Sequence, residues 1–158
     1  MPNPGEGAPE SVPATRPLVL YVDDDAGNLA AARLLLEDRY ELLEAENDEE
    51  ACTCLKREGQ RIDMILMDIQ LKRSHLDGVG LVKLIRGTLD RAGLPGYTLD
   101  VPVLATPVIF LTAYGRLYPS DELFRAGGAD VVVKPVDFIK LSNAMARYLT
   151  QKALSRLG

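Results

Sequence analysis

The feature that most restricts this chain is a set of short apolar runs, each stopping abruptly at a polar or charged residue. The run IDMILMD (residues 62–68) is typical: Ile62, Met64, Ile65, Leu66 and Met67 lead into the carboxylate of Asp68. It is too short to span a membrane. With almost no polar alternation, it is predicted to be a strand buried on both faces of a parallel sheet. LVLYV (residues 18–22) has the same character and runs into Asp23, Asp24 and Asp25. YELLEA (40–45), PVIFLT (107–112) and DVVV (130–133) complete the set, the last ending at Lys134-Pro135.

Helical segments fill the spaces between these runs. GNLAAARLLLEDR (27–39) is rich in Ala and Leu and places Leu29 and Leu36 two turns apart on one face. Asn47 or Asp48 is suited to cap a second helix reaching about Glu58, with Gly59 as its terminator. Further helices are predicted over 78–86 and 120–126, and a last one, capped by Asp137, to about Leu154. Five alternations of strand and helix imply parallel strands with right-handed crossovers. The expected fold class is therefore α/β, a doubly wound five-stranded parallel sheet with five helices on its two faces.

In such a sheet ligands bind at the carboxyl ends of the strands. Strand one delivers Asp23 and Asp24 there, strand three Asp68, strand four Thr112 and strand five Lys134. Singly, each residue reads equally well as a loop start or a helix cap. Together they form a recognisable inventory. Three close carboxylates repel, and either raise one another's pKa or recruit a cation. Hard oxygen ligands favour Mg2+, which keeps several waters and bridges carboxylates to phosphate. Lysine supplies a point charge and threonine a hydroxyl for phosphoryl oxygens. Phosphoryl transfer needs chiefly positioning and charge neutralisation, and a carboxylate can itself be the nucleophile.

Composition narrows the classes further. A net charge of −5 without a long Lys/Arg run argues against direct nucleic-acid binding. No stretch approaches ~18 apolar residues, so no membrane span is expected. Neither is a signal peptide, and a cytoplasmic location follows. Cys52 and Cys54 point to different sides of a helix and read as reduced thiols. The opening MPNPGEGAPESVPATRP reads as a disordered tail over residues 1–17, preceding one domain over 18–155.

The chain resembles the receiver domains of two-component response regulators. LVLYVDDD, DMILMD, the Asp77-Gly78 pair, PVIFLTA and ADVVVKP carry the resemblance, in order and on successive strands. It implies a flavodoxin-like sheet of order 2-1-3-4-5 and a phosphoryl group taken from a phosphohistidine on a sensor histidine kinase or phosphotransfer protein. Asp68 would be the acceptor. Asp24, Asp68 and the main-chain carbonyl of Gln70 would hold Mg2+, with Asp23 acting through water. Thr112, Lys134 and the Ala113 amide would contact the phosphoryl oxygens. A cis peptide is implied at Lys134-Pro135, where only an X-Pro bond makes it accessible. Such a protein is not an enzyme beyond its own phosphorylation and dephosphorylation.

Three departures from the family pattern stand out. QLKRSHLDG, after the acceptor, lacks a proline and is about two residues longer than usual, which suggests a more mobile loop; its His75 reads as solvated. The connection GTLDRAGLPGYTLDVPVLAT (87–106) is an insertion too apolar for a linker, because of Leu94, Tyr97, Leu99, Val101, Val103 and Leu104. It is expected to pack on the domain or on a partner. Val131 stands where the family usually has a switching Tyr or Phe, and a β-branched side chain has no comparable swing. Tyr114 or Tyr118 is then the candidate reporter of phosphate, or output depends on loop and helix displacement without an aromatic gate; Gln70 and Tyr114 would bear on phosphate lifetime.

After the last helix the sequence leaves no room for an output domain, so output is expected through binding at the face of helix 4, strand 5 and helix 5. A homodimer is left open. Two rival readings accompany this one. A degenerate receiver would bind partners without phosphorylation. A haloacid-dehalogenase-type phosphatase would use Asp23-x-Asp25, Thr112 and Lys134, but would leave Asp68 without a role.

Overall fold

The computed structural model describes residues 16–113 and 118–157, with side chains described as far as Leu154. Most of the predicted tail, together with Tyr114, lies outside these residues. Five parallel strands, β1 (Leu18–Val22), β2 (Glu41–Ala45), β3 (Met64–Asp68), β4 (Val108–Thr112) and β5 (Asp130–Val133), form one sheet in the order β2-β1-β3-β4-β5. Between them run α1 (Ala26–Leu36), α2 (Asp48–Glu58), α3 (Gly78–Arg86) and α4 (Ser120–Ala126), and α5 (Phe138–Leu157) follows β5.

The continuous apolar runs have the burial their composition calls for: every residue of β1 and β3 is buried. Alternate side chains feed two cores. Leu20, Val22, Ile65, Met67 and Phe110 pack with Cys52, Leu55, Leu81, Leu84 and Leu123, from α2, α3 and α4. Val19, Tyr21, Met64, Leu66 and Ile109 pack with Leu29, Leu36, Leu141 and Met145, from α1 and α5. The result is the expected three-layer α/β arrangement.

Caps place the helix starts beside the strand ends. Asp25 accepts from the Asn28 amide, Asn47 from Glu50 and Asp77 from Gly80, at the heads of α1, α2 and α3. Strand β3 begins two residues later than the apolar run suggests, because the Ile62 amide is taken by the Glu58 carbonyl at the end of α2.

The insertion packs on the domain. Val101 and Leu104 are buried, Leu94 and Tyr97 lie against the larger core, and Gly96–Thr98 forms a 3-10 turn. Leu99 and Val103, grouped with them by composition, are 58% and 65% exposed. The half-buried Arg86 guanidinium at the end of α3 fastens the far end of the insertion, donating to the carbonyls of Leu104, Thr106 and Gly127. No described helix is long and apolar enough to cross a membrane.

Candidate functional site

Parallel register brings the predicted residues to one edge. Asp68 is paired with Leu111, Thr112 is the next residue along β4, and Thr112 is paired in turn with Val133. The Lys134 amide donates to the Thr112 carbonyl at 2.7 Å, which carries the lysine to the same edge. The Lys134-Pro135 peptide is cis, as the resemblance implies.

Asp23, Asp24 and Asp68 converge, each offering a carboxylate oxygen within 4.8 Å of the others. Asp23 is fully buried and Asp68 is 5% exposed, while Asp24 is partly open. The Lys134 ammonium stands 3.2 Å from Oδ2 of Asp23 and 3.2 Å from Oδ2 of Asp68. Asp23 Oδ2 also accepts from Tyr21 Oη at 3.0 Å and Asn28 Nδ2 at 3.2 Å, and its Oδ1 accepts from the Asp25 amide. A buried carboxylate with this many donors is fixed in place.

The electrostatics are those of a site short of positive charge. Burial pushes the Asp68 carboxyl up from 3.8 to about 6; Lys134 opposes the shift and the charges of Asp23 and Asp24 add to it. Burial works against the Lys134 ammonium, yet Asp68 and Asp23 outweigh it and its pKa lies above the ordinary lysine value. Burial and the Asp23 charge drive the Tyr21 phenol far upward, so it remains a donor. One ammonium faces three carboxylates, and a hard dication supplies the charge and oxygen coordination that this donor set lacks. The residues therefore fit Mg2+.

The Asp-Gly pair has a steric reason. A Cβ built on Gly78 would lie 2.1 Å from the Asp68 carbonyl oxygen and 2.9 Å from Met67 Cγ. The Gly78 amide donates to the Ile69 carbonyl at 2.8 Å. Helix α3 thus starts hard against β3, and any side chain at this position would push them apart.

The structure is specific about the remaining candidates. The half-buried Thr112 hydroxyl donates to its neighbour's carbonyl, that of Ala113, and to neither Asp68 nor Lys134. Gln70 is exposed at the start of the loop after β3. His75 is exposed, and its contribution is its backbone amide, which donates to Asp48. Asp25 is exposed and caps α1, so the phosphatase reading loses the second acid of its D-x-D pair. The loop expected to be mobile is tied at several points: the Lys72 amide donates to Asp24 Oδ2 at 2.8 Å, and the His75 and Leu76 amides both donate to Asp48 Oδ2 at 3.0 Å. Asp48 reads in the sequence as a helix cap, and neither length nor composition signals that it is a buried anchor. Tyr118, a candidate reporter of phosphate by sequence, donates its hydroxyl to Asp77 Oδ2.

Comparison with known proteins gives the chain's family. The family model described as "Response regulator receiver domain" matches residues 19–146. The chain is 31% identical over 138 residues to the signal transduction histidine-protein kinase BarA of Escherichia coli K12, covering 87% of this chain and 13% of that kinase. It is 32% identical over 132 residues to an uncharacterized 14.6 kDa protein of Leptolyngbya boryana, covering 82% and 88% of the two. Among solved structures, the signal receiver domain of a putative Luxo repressor protein from Vibrio parahaemolyticus superposes with a TM-score of 0.71 at 24% identity, covering 90% of this chain and 96% of that one. A response regulator receiver domain protein from Clostridium thermocellum gives the same TM-score at 24% identity, covering 87% and 98%. This chain belongs to the response regulator receiver domain family.

Proposed function

We propose that the protein is a phospho-accepting receiver of two-component signalling, with Asp68 as the acceptor. The observation that carries this reading is the setting of Asp68. It is a buried carboxylate at a strand end, 3.2 Å from the Lys134 ammonium and within 4.8 Å of two further carboxylates. A structural ion pair needs no such excess of acid. A site that must gather a cation and a phosphoryl group does.

Asp23, Asp24, Asp68 and the main-chain carbonyl of Gln70 would hold Mg2+, which when bound neutralises charge on the transferring phosphoryl group. An Asp68 oxygen attacks the phosphorus of a phosphohistidine on a sensor kinase or phosphotransfer protein. The new O–P bond forms as the N–P bond breaks, and the electron pair stays with the imidazole. Lys134, the Thr112 hydroxyl and the Ala113 amide would take up the phosphoryl oxygens. For Thr112 this requires only that its hydroxyl leave the Ala113 carbonyl.

The domain would comprise residues 18–155, work in the cytoplasm and catalyse nothing beyond its own phosphorylation and dephosphorylation. Its output face would be that of α4, β5 and α5, where Phe124, Val133 and Ile139 are exposed. A partner there would bias the switch through its differing affinity for two conformations.

Intact mass after incubation with acetyl phosphate tests the reading. The expected result is a gain of one phosphoryl group that requires Mg2+ and is lost in Asp68→Asn. A wild-type protein that takes up no phosphoryl group, and no beryllofluoride in its place, would overturn it.

A further inference from the structure

The loop after Asp68 and the connection over residues 87–106 meet in the structure at one side chain. Asp48, in the first turn of α2, is 2% exposed. Its Oδ2 accepts from the amides of His75 and Leu76, each at 3.0 Å, and from Tyr97 Oη in the insertion, at 2.7 Å. Its own amide donates to Ser74 Oγ at 3.0 Å. Residues 74–76 are thereby held to α2, and the insertion supplies the last donor to the carboxylate that holds them.

The same loop reaches the metal side of the site two residues earlier. The Lys72 amide donates to Asp24 Oδ2 at 2.8 Å. Arg73, between the two anchors, has a φ of 57°, a left-handed conformation unfavourable for a non-glycine residue. Such a backbone persists only where its neighbours over-determine it, and here Lys72 is pinned on one side and Ser74 on the other. The strained residue, the Asp24 bond and the Asp48 cluster are one mechanical unit.

We infer that Tyr97 is a positioning residue for the cation site: through Asp48 it holds the loop of residues 70–76 so that Asp24 and the Gln70 carbonyl are set for Mg2+ before the ion arrives. The inference rests on the receiver reading and goes beyond it by giving the insertion a task. Tyr97 touches neither acceptor nor ion. Without its hydroxyl, Asp48 Oδ2 is left with two amide donors, the loop anchor loosens, and part of the ion's binding energy is used to order the loop.

The test compares Tyr97→Phe with Tyr148→Phe. The second variant removes a hydroxyl that bonds the Ala129 carbonyl and Asp130, at the opposite edge of the sheet. Mg2+ alone is titrated by calorimetry, and backbone hydrogen exchange is followed at Lys72, His75 and Leu76. Tyr97→Phe is expected to weaken Mg2+ about three- to tenfold and to speed exchange at these amides. Tyr148→Phe is expected to lower stability without changing either readout. Asp48→Asn, if folded, should reproduce the loss of affinity. An unchanged or tighter Mg2+ constant in Tyr97→Phe, or an equal weakening in Tyr148→Phe, would overturn the inference while leaving the receiver reading intact. A wild-type protein that binds no Mg2+ would overturn both.

Discussion

Tyr118 donates a 2.6 Å hydrogen bond to Asp77, the residue that caps α3, and so joins the head of α4 to the head of α3. Asp77 uses one oxygen for the cap and the other for the tyrosine. This bond to the carboxylate, followed by burial, raises the Tyr118 phenol to about 12. Tyr118→Phe is expected to cost about 1.5–3 kcal/mol in urea unfolding, the usual loss for a hydrogen bond to a charged partner. A spectroscopic titration of the phenols should lose one late-ionising group in the same variant.

The raised pKa of Asp68 makes a prediction about pH. A carboxyl whose folded pKa lies above its ordinary value binds protons more readily in the folded chain, so stability declines as pH rises from about 4 through about 6. At neutral pH the ionised Asp68 is a cost to the metal-free fold. Asp68→Asn removes that cost and should raise stability at pH 7 without Mg2+ by about 1–2 kcal/mol. Only the ionised form can serve as a ligand or a nucleophile. Mg2+ affinity of the wild type should therefore fall as pH drops through about 6.

Lys134 is the only ammonium between Asp23 and Asp68 among the described residues. Its truncation leaves buried carboxylates without their partner, a loss of about 2–3 kcal/mol in the absence of Mg2+. The same variant should bind Mg2+ at least as tightly as wild type, because less positive charge competes for the acids. Thermal denaturation with and without Mg2+ reads both effects: a lower metal-free midpoint and a larger upward shift on adding the ion.

Gly78 tests the sterics beside Asp68. With a Cβ only 2.1 Å from the Asp68 carbonyl oxygen, Gly78→Ala forces α3 away from β3. A loss of about 2 kcal/mol or more is expected in denaturant unfolding. Gly96→Ala, where a Cβ meets nothing within 4 Å, is the control and should change stability little.

The layout of the sheet was legible because buried parallel strands must be apolar throughout, and their last residues must emerge at one edge. Asp23, Asp24, Asp68, Thr112 and Lys134 could be collected on that ground, and the structure brings the three acids and the lysine together. The stiffness of the loop was not legible. Its length and lack of proline suggest mobility, but what holds it are amides at Lys72, His75 and Leu76 and carboxylates at Asp24 and Asp48, more than twenty residues away in sequence. A carboxylate that accepts from such distant amides leaves no periodic trace. In the insertion, composition correctly marks Val101 and Leu104 as packed but does not separate them from the exposed Leu99 and Val103, because an irregular backbone has no fixed alternation.

The central claim is that Asp68 carries the phosphoryl group. The most direct measurement is to phosphorylate the protein with acetyl phosphate and Mg2+, reduce the acyl phosphate with borohydride, and sequence the peptides by mass spectrometry. The account predicts that homoserine replaces aspartate at position 68 alone, with no such product in Asp68→Asn. Homoserine at position 23 or 24 instead, or a modified His75 with Asp68 intact, would contradict it.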